Sequence, residues 1–389
     1  MGPRIHLCLS TTLLLGALAV ETLTAQTTSP VAYVYVARPT HLDGFAASST
    51  GRLHPVPGSP FSGIAVSHLS VTNKFLFGAG DDNQSLLSYA LASNGSVRKV
   101  GQINAHAYPP DGNDCYSVGP TQVDFARKTL YNNDWNCDGD SQYIQSYRIE
   151  SSGQLTFLKN TETVSNQFTM SNPVVLGNDQ YLYVTANYSL VGNPGGQIEA
   201  LKRNSDGTLD VANGYIPMPP YPSSYKVFAP YNVLATDPTN HVAMEMVPQD
   251  AVTGSDDGPV VIASFTAHSD GNLTTTNTLA QMVRPTVIAH VMSISPTGKL
   301  LAVGGGPSGT SLGFQIMHFN GGSPITKYSG VLQSKYLFRQ FGWDKHNHLY
   351  ALSSNYLFVY TVTPTSIQQA PGSPYSIPEA ASLIVLCLP

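Results

Sequence analysis

Charged side chains are scarce in this chain: Asp, Glu, Lys and Arg make up 11% of it, against about 25% in an ordinary soluble domain. The formal net charge of −5 is small and spread out, so there is no basic footprint for nucleic acid. Also missing is any stretch of about a dozen residues with an apolar 3.6-residue period and capping signals, which leaves almost no helix to expect. Beyond the N-terminus no run approaches about 18 consecutive apolar residues, so no membrane span is expected. The local signatures GxSxG, HExxH and the P-loop are absent. The run GGGPSG at Gly304 to Gly309 follows a strand pattern but opens no helix, which argues against phosphate cradling.

What is present suits short strands and turns: Gly 34, Pro 28 and Tyr 21, with much Ser, Thr and Asn. The N-terminus places Arg4 before an apolar run from Leu13 to Val20 and small residues near Ala25. That is the layout of a signal peptide over residues 1–25, which predicts a secreted or periplasmic protein.

One supersecondary unit recurs along the remainder. A tight turn closing on Gly-x-Leu appears as STGRL at Leu53, SNGSV at Val97, SSGQL at Leu155, SDGTL at Leu209 and SDGNL at Leu273. Weaker copies end at Ile325 and Ile367. Aromatic or aliphatic strands precede each turn, among them AYVYVAR, KFLFGAG, YLYVTAN and LYALSS. Seven units over residues 26–389 average 52 residues each, close to the roughly 50 of kelch-type blades. The first unit lacks its opening strand, while the last is followed by the unpaired apolar segment ASLIVLCLP. A closed ring resolves both facts. The chain is therefore read as an all-β, seven-bladed propeller of four-stranded blades, closed by residues 382–388 pairing with 31–37. Blades are expected near 382–388 with 31–61, then 66–105, 121–164, 173–216, 232–282, 291–332 and 339–375.

In such a ring the long connections fall on one face, which becomes the candidate binding face. Cys115 and Cys137 both project from it in one blade, and a disulfide between them would contribute about 3 kcal/mol by loop closure. Cys387 is left over as a buried apolar side chain in the closing strand. The run DWNCDGD sets Asp134, Asn136, Asp138 and Asp140 around a Gly, the spacing with which oxygen ligands wrap Ca2+; a solvated hairpin is the simpler alternative. Arg38, His41, His68 and His106 should converge near the mouth of the ring. Arg284, His290 and Arg339 begin or flank inner strands nearby. Glu245 lies inside the strand HVAMEMV, where a carboxylate packed between blades needs a partner or a tuned acid–base role.

The segment YLYVTANYSLVGNPGGQIEALKRNSDGTL, the run IAHVMSISPTGKLLAV and the paired PGSPF and PGSPY motifs resemble the lactonase-like seven-bladed propellers, the family that includes 6-phosphogluconolactonase. The resemblance spans the chain after residue 25. It implies hydrolysis of a cyclic ester by His, Arg and Glu around a central funnel, with no cofactor required. His290 stands where a family His opens an inner strand, and Glu245 resembles the acidic residue of a second strand. Arg284 or Arg339 would polarise the lactone carbonyl, His290 or His106 would activate water, and Arg38, His41, His68, Asn187 and Tyr188 would bind substrate. The alternative is a non-catalytic exported propeller that binds a glycan, peptide or envelope protein through its loop face, where PMPPYPSSYKVFAPY offers aromatic contact area. A monomer is expected in either case.

Overall fold

The structure is a computed structural model, and it describes residues 29–82, 84–105, 118–135, 142–163, 173–186, 189–190, 193–194, 197–305 and 312–388. Among these, every regular element is a strand. Seven antiparallel sheets of four or five strands make seven blades, and a two-stranded ribbon, Ser189–Leu190 with Asn193–Pro194, stands apart from them.

Each blade runs outward from an inner strand. The inner strands of blades 2 to 7 are Val66–Val71, Val118–Val123, Val174–Val175, Lys226–Thr236, Ala289–Ile294 and Phe338–Trp343. Blade 1 takes its inner strand from the far end of the chain. Ser382–Cys387 pairs antiparallel with Ala32–Ala37, in a register running from Ala32 opposite Cys387 to Ala37 opposite Ser382. The inner strands pack neighbour to neighbour around the whole circle, including both junctions of the closing strand. The ring is closed, as the orphan apolar segment requires.

The second strands are buried on both faces, so they read as continuous apolar runs instead of alternating ones. Their tyrosines serve a further purpose. The hydroxyls of Tyr35, Tyr131 and Tyr183 donate to the carbonyls of Gly95, Gly207 and Gly271 at 2.8, 3.0 and 3.0 Å. Each of those glycines lies in the Gly-x-Leu turn of the following blade. The fit is tight: Gly207 has φ +92°, and a Cβ there would come within 2.3 Å of Thr129 Oγ1 in the preceding blade. The repeated glycine thus closes its own hairpin and seats that hairpin on its neighbour. A buried ion pair between Arg203 and Asp124 ties blade 4 to blade 3 in the same region.

One irregularity recurs around the ring. The pairing of the inner strand with the second strand slips in five blades: between Ser67 and Ser70, opposite Asn132 to Asp134, between Pro230 and Leu234, between Ala289 and Val291, and between Phe338 and Gln340. Bulges re-aim side chains and gather at barrel rims and sites. Here the bulged positions in blades 2, 6 and 7 include His68, His290 and Arg339.

Candidate functional site

Inner strands that meet around an axis leave a channel, and a cavity there has a volume of about 490 Å3. That size suits a small-molecule ligand. Six blades contribute to its wall: His68 to Val71 from blade 2, Thr121 to Val123 from blade 3, Pro173 leading into blade 4, Val291 from blade 6, Arg339 to Phe341 from blade 7, and Ser382 and Ile384 from the closing strand.

The wall is held stiffly. Thr121 Oγ1 donates to the His68 carbonyl at 2.5 Å, and Ser70 Oγ donates to the Thr121 carbonyl at 2.8 Å, which couples blades 2 and 3. Gln340 Oε1 accepts the Leu383 N–H at 2.7 Å, which couples blade 7 to the closing strand. His68 has φ 48°, a left-handed conformation unusual for a residue with a Cβ. It arises at the bulge and presents the imidazole to the channel. The ring meets the water of the channel yet stands among crowded strands, and this desolvation lowers its pKa below the ordinary imidazole value. The same burial favours the neutral imidazole.

The charge balance of the cavity is one-sided. Arg339 and Arg127 both line it. Among the described residues the one carboxylate on the wall is Asp124, whose fully buried side chain is paired with Arg203 and accepts the N–H groups of Lys128 and Thr129 at 2.7 and 3.1 Å. The described part of the channel therefore offers cations, amides and hydroxyls, with no free carboxylate. Such a surface favours a ligand rich in oxygen acceptors, and it can stabilise negative charge developing on a carbonyl oxygen.

Of the residues singled out from the sequence, the channel brings together Arg339 and His68. His290 occupies the matching bulge in blade 6, beside the cavity-lining Val291, and is exposed. Arg284 is exposed on the connection leading to that strand and does not line the cavity. Arg38 and His41 flank a tight turn in blade 1 and close on Asp43, at 3.7 and 3.9 Å, away from the cavity wall. Glu245 is fully buried between blades 5 and 6, so it stands behind the site instead of in it.

Asp134 is buried, and its Oδ2 accepts from Gln145 Nε2 at 2.8 Å. The other members of the acidic loop, Asn136, Asp138 and Asp140, lie outside the described residues, as do His106, Asn187, Tyr188, Cys115 and Cys137. Cys387 is partly buried, and its Sγ sits 3.5 Å from the Trp343 carbonyl.

Sequence reasoning passed over Gln122, Gln340 and Arg127 as site residues. Gln340 adjoins Arg339 and so stood next to a visible signal. Arg127 reaches the channel through a turn residue at φ 60°, for which the sequence carries no signal.

No family model matches the chain, and no curated protein matches it in sequence. Solved structures do match. The periplasmic gluconolactonase of Pseudomonas aeruginosa superposes with a TM-score of 0.64 at 12% identity, over 92% of this chain and 99% of that one. A Lactobacillus plantarum protein gives 0.63 at 13% identity, with the same 92% and 99% coverage. A candidate 6-phosphogluconolactonase of Bacteroides fragilis gives 0.62 at 11% identity, again over 92% and 99%. The chain shares the seven-bladed propeller fold of these proteins. The match extends over nearly the full length of each neighbour. Identity this low speaks for the fold alone.

Proposed function

We propose that the protein is an exported lactonase-type hydrolase that opens a cyclic ester, a sugar lactone or a close relative, in the central channel. The observation that carries the reading is the placement of Arg339 and His68 on the wall of one cavity of about 490 Å3. The likeness in fold to a periplasmic gluconolactonase supports it, and so does the signal-like N-terminus.

Arg339 binds the lactone carbonyl oxygen and stabilises the negative charge that grows there as water attacks. His68, neutral because its pKa is lowered, takes a proton from the attacking water. The tetrahedral intermediate then breaks its bond from the carbonyl carbon to the ring oxygen. That oxygen leaves with the proton held by the imidazole, giving the open-chain hydroxy acid. Gln122 and Gln340 offer amide groups to the substrate hydroxyls.

The test is a panel of sugar and homoserine lactones followed by acid release. We expect turnover of at least one member. The kcat/KM should rise with pH as His68 loses its proton, with a midpoint below the ordinary imidazole value of 6.5 and a plateau at neutral pH. A flat profile, or one rising only above pH 8, would remove His68 as the base.

A second reading rests on a different surface. Tyr225 and Val252 are 75% and 73% exposed, and they sit side by side where Ala251 N–H donates to the Tyr225 carbonyl at 2.9 Å. This tip of blade 5 would suit a non-catalytic propeller that holds a glycan or peptide on its loop face.

A further inference from the structure

Glu245 is a buried acidic residue that the proposed chemistry leaves without a task. It lies in the second strand of blade 5, opposite the slip in pairing between Pro230 and Leu234, at the level where the inner strands bulge. Its side chain is fully buried. Oε1 accepts the N–H of Ala289 across the blade boundary at 2.8 Å, while Oε2 has no hydrogen-bond partner among the described residues. Burying a carboxyl group with one oxygen unpaired is unfavourable. A methionine or leucine would fill the space between blades 5 and 6 without that cost, so the hydrogen bond accepted from Ala289 is the feature that distinguishes Glu245 from an apolar filler.

Ala289 is the residue on which the bulge of blade 6 turns. Pairing with the second strand runs Ala289 to Gly305 and then skips to Val291 with Gly304, which leaves His290 as the extra residue. The bulge is also pressed from its own blade, since a Cβ on Gly305 would fall 1.7 Å from the Ile288 carbonyl oxygen and 3.2 Å from the His290 nitrogen. Gly305 on one side and the Glu245 carboxyl on the other fix the backbone on either flank of His290. In blades 2 and 7 the matching bulges place His68 and Arg339 on the channel wall.

We propose that Glu245 is a positioning residue, which holds the Ala289–His290 bulge so that the His290 imidazole stands at the head of the channel as a third substrate-contacting group beside His68 and Arg339. The role belongs to the acceptor oxygen and not to a charge, so a neutral amide should fill it. The kinetic part of this inference rests on the lactonase reading; the structural part does not.

Two measurements on wild type, Glu245→Gln and Glu245→Ala test it. Hydrogen exchange followed by mass spectrometry, resolved to peptides covering residues 287–292, reports the Ala289 amide directly. We expect protection in the wild type and in Glu245→Gln, and loss of protection in Glu245→Ala. In lactone hydrolysis Glu245→Ala should lower kcat/KM by about 10- to 100-fold, the scale of a misplaced contact, while Glu245→Gln stays near wild type. In a His290→Ala background the Glu245→Ala change should add almost nothing, because the group it positions has gone. Unchanged exchange in Glu245→Ala would overturn the proposal. So would equal impairment of Glu245→Gln and Glu245→Ala, or a full Glu245→Ala effect without His290. Should the wild type hydrolyse no lactone, the hydrolase reading fails by itself, and the exchange result still decides whether Glu245 braces the bulge.

Discussion

Arg339→Ala is expected to lower kcat for lactone hydrolysis by about 100- to 1,000-fold, the usual consequence of removing one donor from a developing oxyanion. The size follows from where the residue stands. Arg339 sits at a bulge in the inner strand of blade 7 and lines a cavity with no free carboxylate among its described residues, so its charge faces substrate instead of an internal partner. The guanidinium is not part of the packed core, and the thermal midpoint should shift little. Arg339→Lys should recover only part of the rate, because a single ammonium cannot reproduce a planar pair of donors. An Arg339→Ala protein that keeps wild-type kcat would place the chemistry elsewhere.

The second large effect concerns stability and pH. Burial pushes the Glu245 carboxyl up to about 8 from 4.5, with the Ala289 N–H pulling the other way and only partly offsetting it. Between these two values the unfolded chain gives up this proton while the folded chain keeps it. The contribution is therefore fully present below about pH 4.5, declines by about 1.4 kcal/mol per pH unit above it, and is gone beyond pH 8. Glu245→Gln has no such titration. It carries instead a constant cost for a buried amide nitrogen, about 1–3 kcal/mol if that nitrogen finds no partner. Urea unfolding should find the wild type more stable than Glu245→Gln at pH 5, with the order reversing as pH approaches 8. Parallel stability curves for the two proteins across that range would show that Glu245 is ionised in the fold.

The parts of this architecture that were legible in the sequence are those set by local chemistry. A Gly-x-Leu turn, a doubly buried aromatic strand and an apolar tail without a partner each state their requirement within a few residues, and together they specified the ring and its closure. The site was less legible because its decisive features are departures from strand alternation. His68, His290 and Arg339 were each visible as ionisable residues near inner strands, yet nothing in their neighbourhoods announced a bulge, and the bulge decides whether such a side chain meets the channel. Glu245 stood out correctly as a costly buried carboxylate, but the partner that explains it is a backbone N–H 44 residues away. Arg38 and His41 were expected at the mouth; they stand near Asp43 and do not line the cavity, and no spacing encodes that ion-pair geometry. Arg127 enters the channel only because a turn in blade 3 folds it inward.

The most direct test of a lactone-opening channel is to determine where an aldonic acid, the product of sugar-lactone opening, binds to the crystalline protein. The carboxylate of the acid should lie against Arg339, its hydroxyls toward Gln122 and Gln340, and His68 within hydrogen-bonding reach of the carboxyl group. An empty channel with the acid seated at the Tyr225 and Val252 tip of blade 5 would contradict this assignment and leave a binding protein in its place.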